Sequence, residues 1–254
     1  MDIKQLQANW DHFGKTEPLW SILTFDDKKG NKWDIHEFFA TGEREIGDLM
    51  EYIASLHFQI PRKNALDFGC GIGRLTQPLA RFFDHVTGVD IAPSMITSAR
   101  QYNRHGDTCR YVLNDTNDLK AFRDNDFNLI YTNITLQHMD RSFSKNYLRE
   151  FLRILAPDGL LIFQLPSGGR VFNERGTINI RGLILRIVPK RLLDLTYRRV
   201  KFGRVPRMEM YWMRRESVIS FLEQNGARIV DVVEDRSVNA EWKSYRYCVT
   251  KKSA

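Results

Sequence analysis

Between Asn64 and Pro166 the chain alternates short apolar runs with stretches of helical spacing, and that alternation predicts most of the fold. NALDFGC, HVTGVDI, CRYVLND, FNLIYTN and LLIFQLP are apolar runs of strand length. Between them, RLTQPLARFF, the stretch from about Pro93 to Tyr102 and KNYLREFLRIL read as helices. Pro78 falls near the first turn of its helix, where proline is tolerated. Leu148, Phe151, Leu152 and Leu155 share one face of the third helix, and LAPDG reads as its C-terminal turn. Farther on, ESVISFLEQNG is a helix ending at Gly226, and ARIVDVVED and SYRYCVTKK read as two strands paired in an antiparallel hairpin. Strands and helices in this alternation specify a mostly parallel α/β sheet covered by helices on both faces.

The first sixty residues follow another rule. Residues 1–40 are rich in aromatics (Trp10, Phe13, Trp20, Phe25, Trp33, Phe38, Phe39) and contain the turn-like DDKKGNKWD, which predicts an irregular helical extension. Ile46, Leu49, Met50, Ile53 and Leu56 then recur at helical spacing, Thr41 stands where a cap belongs, and Glu43 and Glu45 suit the first-turn dipole. Pro61 closes that segment. The expected organisation is a helical cap over residues 1–60 and one domain over 61–254, with an insertion at 167–213.

Composition narrows the class. With 254 residues, 43% apolar and 27% charged, the chain suits one elaborated doubly wound domain. The three cysteines lack metal-ligand spacing and fit a reducing, cytoplasmic setting, and no required metal is expected. No stretch reaches the roughly 18 apolar residues of a membrane span. The opening MDIKQLQANWDHFGK has acid and amide residues where a leader needs an apolar run, so none is expected. The net charge of +7 is local: residues 170–215 hold 13 Lys and Arg against 3 Asp and Glu, and the remainder is slightly acidic.

The stretch Asp67-Phe68-Gly69-Cys70-Gly71-Ile72-Gly73-Arg74 carries the candidate chemistry. Its glycines let the backbone leave a strand, turn tightly and approach a ligand. A dinucleotide fingerprint would need its third glycine where Arg74 stands, which disfavours a pyrophosphate cradle and a nicotinamide oxidoreductase. Asp90, 17 residues past Gly73 at the end of the second strand, can accept from both hydroxyls of a ribose. Asn114-Asp115 ends the third strand, placed to bond an exocyclic adenine amine. Carboxylates beside an adenosine without a phosphate-binding lysine suit S-adenosylmethionine better than a nucleoside triphosphate.

ALDFGCGIGRLTQPLA, VTGVDIAPSMI, VLNDTNDL, FNLIYTNITLQHM and FLRILAPDGLLIFQLP resemble, in order, the motifs of the class I S-adenosylmethionine-dependent methyltransferases. The resemblance implies a Rossmann-like sheet of seven strands with the last antiparallel, and S-adenosyl-L-methionine bound across the C-terminal ends of the first strands. By position it assigns Asp67, Gly69, Gly71 and Gly73 to the methionine portion. Asp90 takes the ribose, Ile91 packs on the adenine, Asp115 takes the adenine amine, and Asn133 lies beside the sulfonium. Arg44, on the helix before the domain, is a candidate partner for the cofactor carboxylate.

On the substrate side, His138 in Leu136-Gln137-His138 is the candidate general base, because histidine titrates near neutrality. The insertion has four readings: a lid that recognises an acidic or phosphorylated substrate, an interfacial helix pair over 181–204 that reaches a lipid-linked substrate on an anionic membrane, a nucleic-acid contact, and a plain lid with a solvated basic face. Nucleic acid ranks lowest, because no RNA-binding module accompanies the basic stretch. The expected function is methyl transfer to a small-molecule or glycan acceptor, on oxygen ahead of nitrogen. Its rivals are an S-adenosylmethionine-binding scaffold without turnover and an RNA methyltransferase.

Overall fold

Seven strands form one sheet in the computed structural model of the chain, which describes residues 2–168, 206, 208–238 and 241–252. They are β1 (Asn64–Phe68), β2 (His85–Asp90), β3 (Cys109–Leu113), β4 (Phe127–Thr132), β5 (Leu155–Gly168), β6 (Ala227–Asp235) and β7 (Lys243–Lys251). Their order is β3-β2-β1-β4-β5-β7-β6, and β7 alone runs antiparallel to its neighbours. The chain winds outward from β1 to β3 and then returns to place β4 beside β1 in parallel. That reversal opens a crevice at the carboxyl ends of β1 and β4, where open α/β sheets bind ligands.

Both faces of the sheet are buried, so adjacent strand residues feed opposite cores. Leu66 and Phe68 of β1, with Leu161, Phe163 and Leu165 of β5, pack under α6 (Arg141–Ile154) and α7 (Arg215–Gln224). Ala65, Leu160 and Ile162 face the other way, onto Ile46, Leu49 and Ile53 of α3 (Ile35–Ser55), Leu79 of α4 (Thr76–Leu79) and Ile96 of α5 (Pro93–Tyr102). Phe151, Phe163 and Tyr247 are almost wholly buried, and each such side chain contributes roughly 1.5–3 kcal/mol of apolar burial.

Three boundaries differ from the sequence expectation. The helix expected to be capped by Thr41 begins seven residues earlier: Asp34 caps α3, its carboxylate accepting from the N–H groups of His36 and Glu37 at 2.9 Å. Thr41 lies inside the helix, its hydroxyl donating to the Phe38 carbonyl. The helix expected over RLTQPLARFF shrinks to α4, because Pro78 has no N–H to donate and the following residues tighten into three-residue turns. LAPDG is not a free turn but the start of β5: Leu155 pairs with Phe127, and a register shift precedes Leu160 opposite Leu129.

The N-terminal helices α1 (Ile3–Thr16) and α2 (Pro18–Ile22) lie over the carboxyl end of the sheet. Asp11 ties α1 to α5, accepting from the Ser94 N–H at 2.9 Å, and Gln7 donates to the Ile91 carbonyl at 3.0 Å. Gly14 lets the two helices meet, since a Cβ there would stand 2.3 Å from the Ser94 hydroxyl. Most of the expected 167–213 insertion, and with it the interfacial reading of 181–204, lies outside the described residues. Among the described residues no helix is long and apolar enough to cross a membrane, and no cluster of metal-ligating side chains occurs.

Candidate functional site

At the end of β1 the backbone passes through three left-handed glycines, Gly69 (φ +79°), Gly71 (φ +53°) and Gly73 (φ +87°). Gly69 also meets Thr135 so closely that a Cβ would stand 2.3 Å from its side chain. The N–H groups of Gly69 and Cys70 both donate to the Val89 carbonyl, at 2.8 and 3.0 Å, and hold the loop against β2. The loop floors a cleft that encloses about 890 Å³ of empty space, open solvent at its mouth included.

Asp90 stands in the cleft wall. One oxygen accepts the Gly71 N–H at 2.9 Å and the other the Ala92 N–H at 2.8 Å. An ionised carboxylate has about four lone-pair sites, so each oxygen can accept once more. Burial raises the Asp90 pKa, and the N–H groups of Ala92, Gly71 and Ile91 pull it back.

Of the other residues the sequence singles out, Gly69, Gly71, Ile91, Asn133 and His138 line the cleft, and Asp67, Gly73, Asp115 and Arg44 do not. Asp67 is buried beneath the loop, where its carboxylate accepts the Thr76 hydroxyl at 2.6 Å. Burial pushes its pKa up to about 7, against the pull of Thr76 and Arg74. Gly73 packs on the Tyr111 ring: a Cβ there would lie 2.5 Å from the phenol oxygen. Asp115 is solvent-exposed, and its neighbour Asn114 lines the cleft instead. Arg44 is exposed on α3.

The cation that does reach the cleft is Arg74, the residue that breaks the dinucleotide fingerprint. It is 2% exposed and pairs with Glu45 at 2.8 Å. Its carbonyl sits against Gly42 of α3, where a Cβ would lie 2.1 Å away. Glu45 is a junction: its other oxygen accepts the Tyr131 hydroxyl at 2.9 Å and the Asn133 amide at 2.7 Å. Burial, then the Glu45 charge, drives the Tyr131 pKa well above its ordinary value. One carboxylate from the cap thus organises residues from the glycine loop and from the end of β4. The sequence reading gave no site role to Arg74, Glu45 or Trp10; only the interrupted glycine pattern marked Arg74.

His138 lines the cleft with both ring nitrogens engaged. Nδ1 lies 2.9 Å from the Glu209 carbonyl, Nε2 lies 3.2 Å from the Gln137 amide nitrogen, and Trp10 of α1 meets the ring edge-on at 5.2 Å. Burial pushes the His138 pKa down to about 4, although the Glu209 bond pulls it up. As a general base it would therefore lack both a free nitrogen and a matched pKa.

Residues 66–163 match the family described as the methyltransferase domain. Among curated proteins, phosphoethanolamine N-methyltransferase 1 of Caenorhabditis elegans is 27% identical over 157 residues, covering 59% of this chain and 33% of that protein. Sterol 4-C-methyltransferase of the same organism is 27% identical over 164 residues, covering 60% of this chain and 47% of that protein. The matches span between a third and a half of those relatives' length. The crystal structure of magnesium protoporphyrin IX methyltransferase from Synechocystis PCC 6803, with bound S-adenosylhomocysteine, superposes with a TM-score of 0.61 at 15% identity, covering 99% of this chain and 100% of that one. At that identity the likeness speaks for the fold alone. Domain match, strand order and glycine loop converge on a methyltransferase domain of the class I S-adenosylmethionine-dependent kind at residues 66–163, with S-adenosylmethionine as its methyl donor.

Proposed function

We propose that the chain transfers a methyl group from S-adenosylmethionine to a small acidic molecule, on an oxygen that reaches the cleft already ionised, as a carboxylate or phenolate does. The observation that carries this reading is the convergence of the Gly69–Gly71 backbone, Asp90 and Arg74 on one cleft at the switch point of the sheet. The residues suit the cofactor. Asp90 keeps acceptor capacity for two ribose hydroxyls, Ile91 offers an apolar surface to adenine, and Asn114 offers an amide at its edge. Arg74 has a buried Nε without a hydrogen-bond partner, which a carboxylate in the cleft would satisfy.

When bound, the cofactor supplies a methyl group activated on a sulfonium, so the protein has mainly to align the acceptor and exclude water. Leu6, Trp10 and Ile22 of the cap supply apolar walls over the loop, in keeping with residues 1–60 acting as a cover. Asn133, held by Glu45 and by the Ser237 hydroxyl at 3.0 Å, stands at the end of β4 where an acceptor would enter. The basic charge of 170–215 favours an acidic acceptor, and the engaged His138 favours one that needs no base. A glycan hydroxyl, which does need one, ranks second.

The test is transfer of labelled methyl from S-adenosylmethionine to a panel of carboxylates, phenols, sugar phosphates and amines. Labelling of carboxylate or phenol oxygen is the expected result. Labelling confined to amines would overturn the oxygen assignment, and cofactor binding without transfer to any of them would favour a binding protein without turnover.

A further inference from the structure

Ile134 has φ +50°, a left-handed conformation that a β-branched residue adopts only when its surroundings impose it. It lines the cleft beside Thr135, which packs on Gly69. The group that holds it is Gln164, 2% exposed in the middle of β5, whose Oε1 accepts the Ile134 N–H at 3.1 Å. That one bond has consequences for four residues.

A backbone N–H can only donate, so the Gln164 oxygen must face Ile134 and its amide nitrogen must face the other way. There it donates to the Gln137 Oε1 at 3.2 Å and to the Ser244 hydroxyl at 2.5 Å. Gln137 is oriented in turn: its oxygen is taken, so its nitrogen donates to the His138 Nε2 at 3.2 Å. At the far end the Glu209 carbonyl can only accept, so the His138 Nδ1 carries the proton. The direction deduced from one end matches the direction deduced from the other.

We propose that Ile134, Gln164, Gln137, His138 and Glu209 form a one-way hydrogen-bond relay that locks His138 as a neutral ring protonated at Nδ1, with Gln164 as the positioning residue. To place a proton on Nε2, Gln137 would have to reverse and turn its NH₂ group onto that of Gln164. Gln164 cannot reverse without turning its own NH₂ onto the Ile134 N–H. The cost of charging the ring is thus spread over the whole relay, in keeping with its depressed pKa. Among the described residues, Trp10 covers one side of the ring, the nearby Glu209 carboxylate accepts the Tyr211 hydroxyl, and the Asp140 carboxylate accepts the Ser142 N–H and hydroxyl.

The relay serves the methyl transfer proposed above, and its purpose rests on that reading. An imidazolium in the cleft wall would repel a sulfonium, and a locked neutral ring does not. The relay also joins two parts of the site. It starts at the turn beside the glycine loop and ends on the segment at 208–213, which is docked further by the Tyr211 N–H on the Gln137 carbonyl at 2.7 Å.

The experiment is ¹⁵N nuclear magnetic resonance of the histidine rings in the full chain, from about pH 8 to about pH 5. His138 is assigned by the signal lost in His138→Gln. The expected spectrum has a protonated Nδ1 and a bare Nε2 down to the lowest pH; an imidazolium signal, or a proton on Nε2, overturns the relay without any further variant. In Gln164→Glu the carboxylate accepts but cannot donate, so Gln137 can reverse and the His138 midpoint should rise to about 6–7, the ordinary range for histidine. Ser244→Ala, which leaves the relay intact, should not move it. An unmoved midpoint in folded Gln164→Glu removes the positioning role from Gln164. S-adenosylhomocysteine titrated into the same samples tests the functional reading separately, since the tautomer does not depend on it.

Discussion

The two sides of the cleft are built by different means. The cofactor side is made of backbone: the left-handed Gly69 and Gly71, N–H groups fastened to Val89 and Asp90, and Asp90 in the next strand of the sheet. The side we propose for the acceptor is held in place by side chains from distant segments: Glu45 from α3 and Asn133 after β4 at one end, Gln164 in β5 and the Glu209 carbonyl at the other. Backbone scaffolds are written in short motifs, whereas a side-chain network needs the fold before it exists. Substitutions on the first side should therefore reach cofactor affinity, and those on the second should reach turnover.

The widest effect is expected where the two sides share a residue. Arg74→Met leaves Glu45 without its buried partner and should cost around 3 kcal/mol of stability, read by urea unfolding, together with cofactor affinity. Unchanged stability would remove Arg74 from the junction. Asp90→Ala should weaken S-adenosylhomocysteine binding by about 1–3 kcal/mol in calorimetry, and unchanged affinity would detach Asp90 from the ribose.

Asp67 sharpens the contrast with Asp90, because it supports the loop from below. Its folded pKa lies near 7, above the unfolded value of 3.8, so the protonated form is favoured by folding. That contribution is present below the unfolded pKa and is lost as pH rises toward 7. Between about pH 5 and pH 8 the wild type should lose roughly 2–3 kcal/mol more than Asp67→Asn, and equal slopes would contradict the burial account.

On the acceptor side, His138→Ala should lower turnover by less than about tenfold, well short of the roughly 10²–10⁴ that loss of a general base costs. A loss in the larger range would restore His138 as the base. Arg44→Ala should change neither stability nor cofactor affinity by more than about 0.5 kcal/mol, as expected of an exposed residue.

The strands themselves, the glycine loop and the place of Asp90 beside it were legible because each depends on residues within a few positions of one another. The misplaced start of α3 had a local signal, Asp34 followed three residues later by Glu37, which is a capping pattern. Arg74 entered the sequence reading only as a missing glycine, since its partner Glu45 lies on α3, 29 residues away. The family position assigned the adenine amine to Asp115, but that residue is exposed and its neighbour Asn114 lines the cleft. Nothing near Gln164 announces that it faces Ile134, because that bond links β5 to a turn 30 residues earlier.

Isothermal titration with S-adenosylhomocysteine, with NADH as control, tests most directly whether the backbone-built side of the cleft is a cofactor site. Saturable binding of S-adenosylhomocysteine, with none of NADH, is the result the account predicts. Binding of NADH, or of neither ligand, would contradict it.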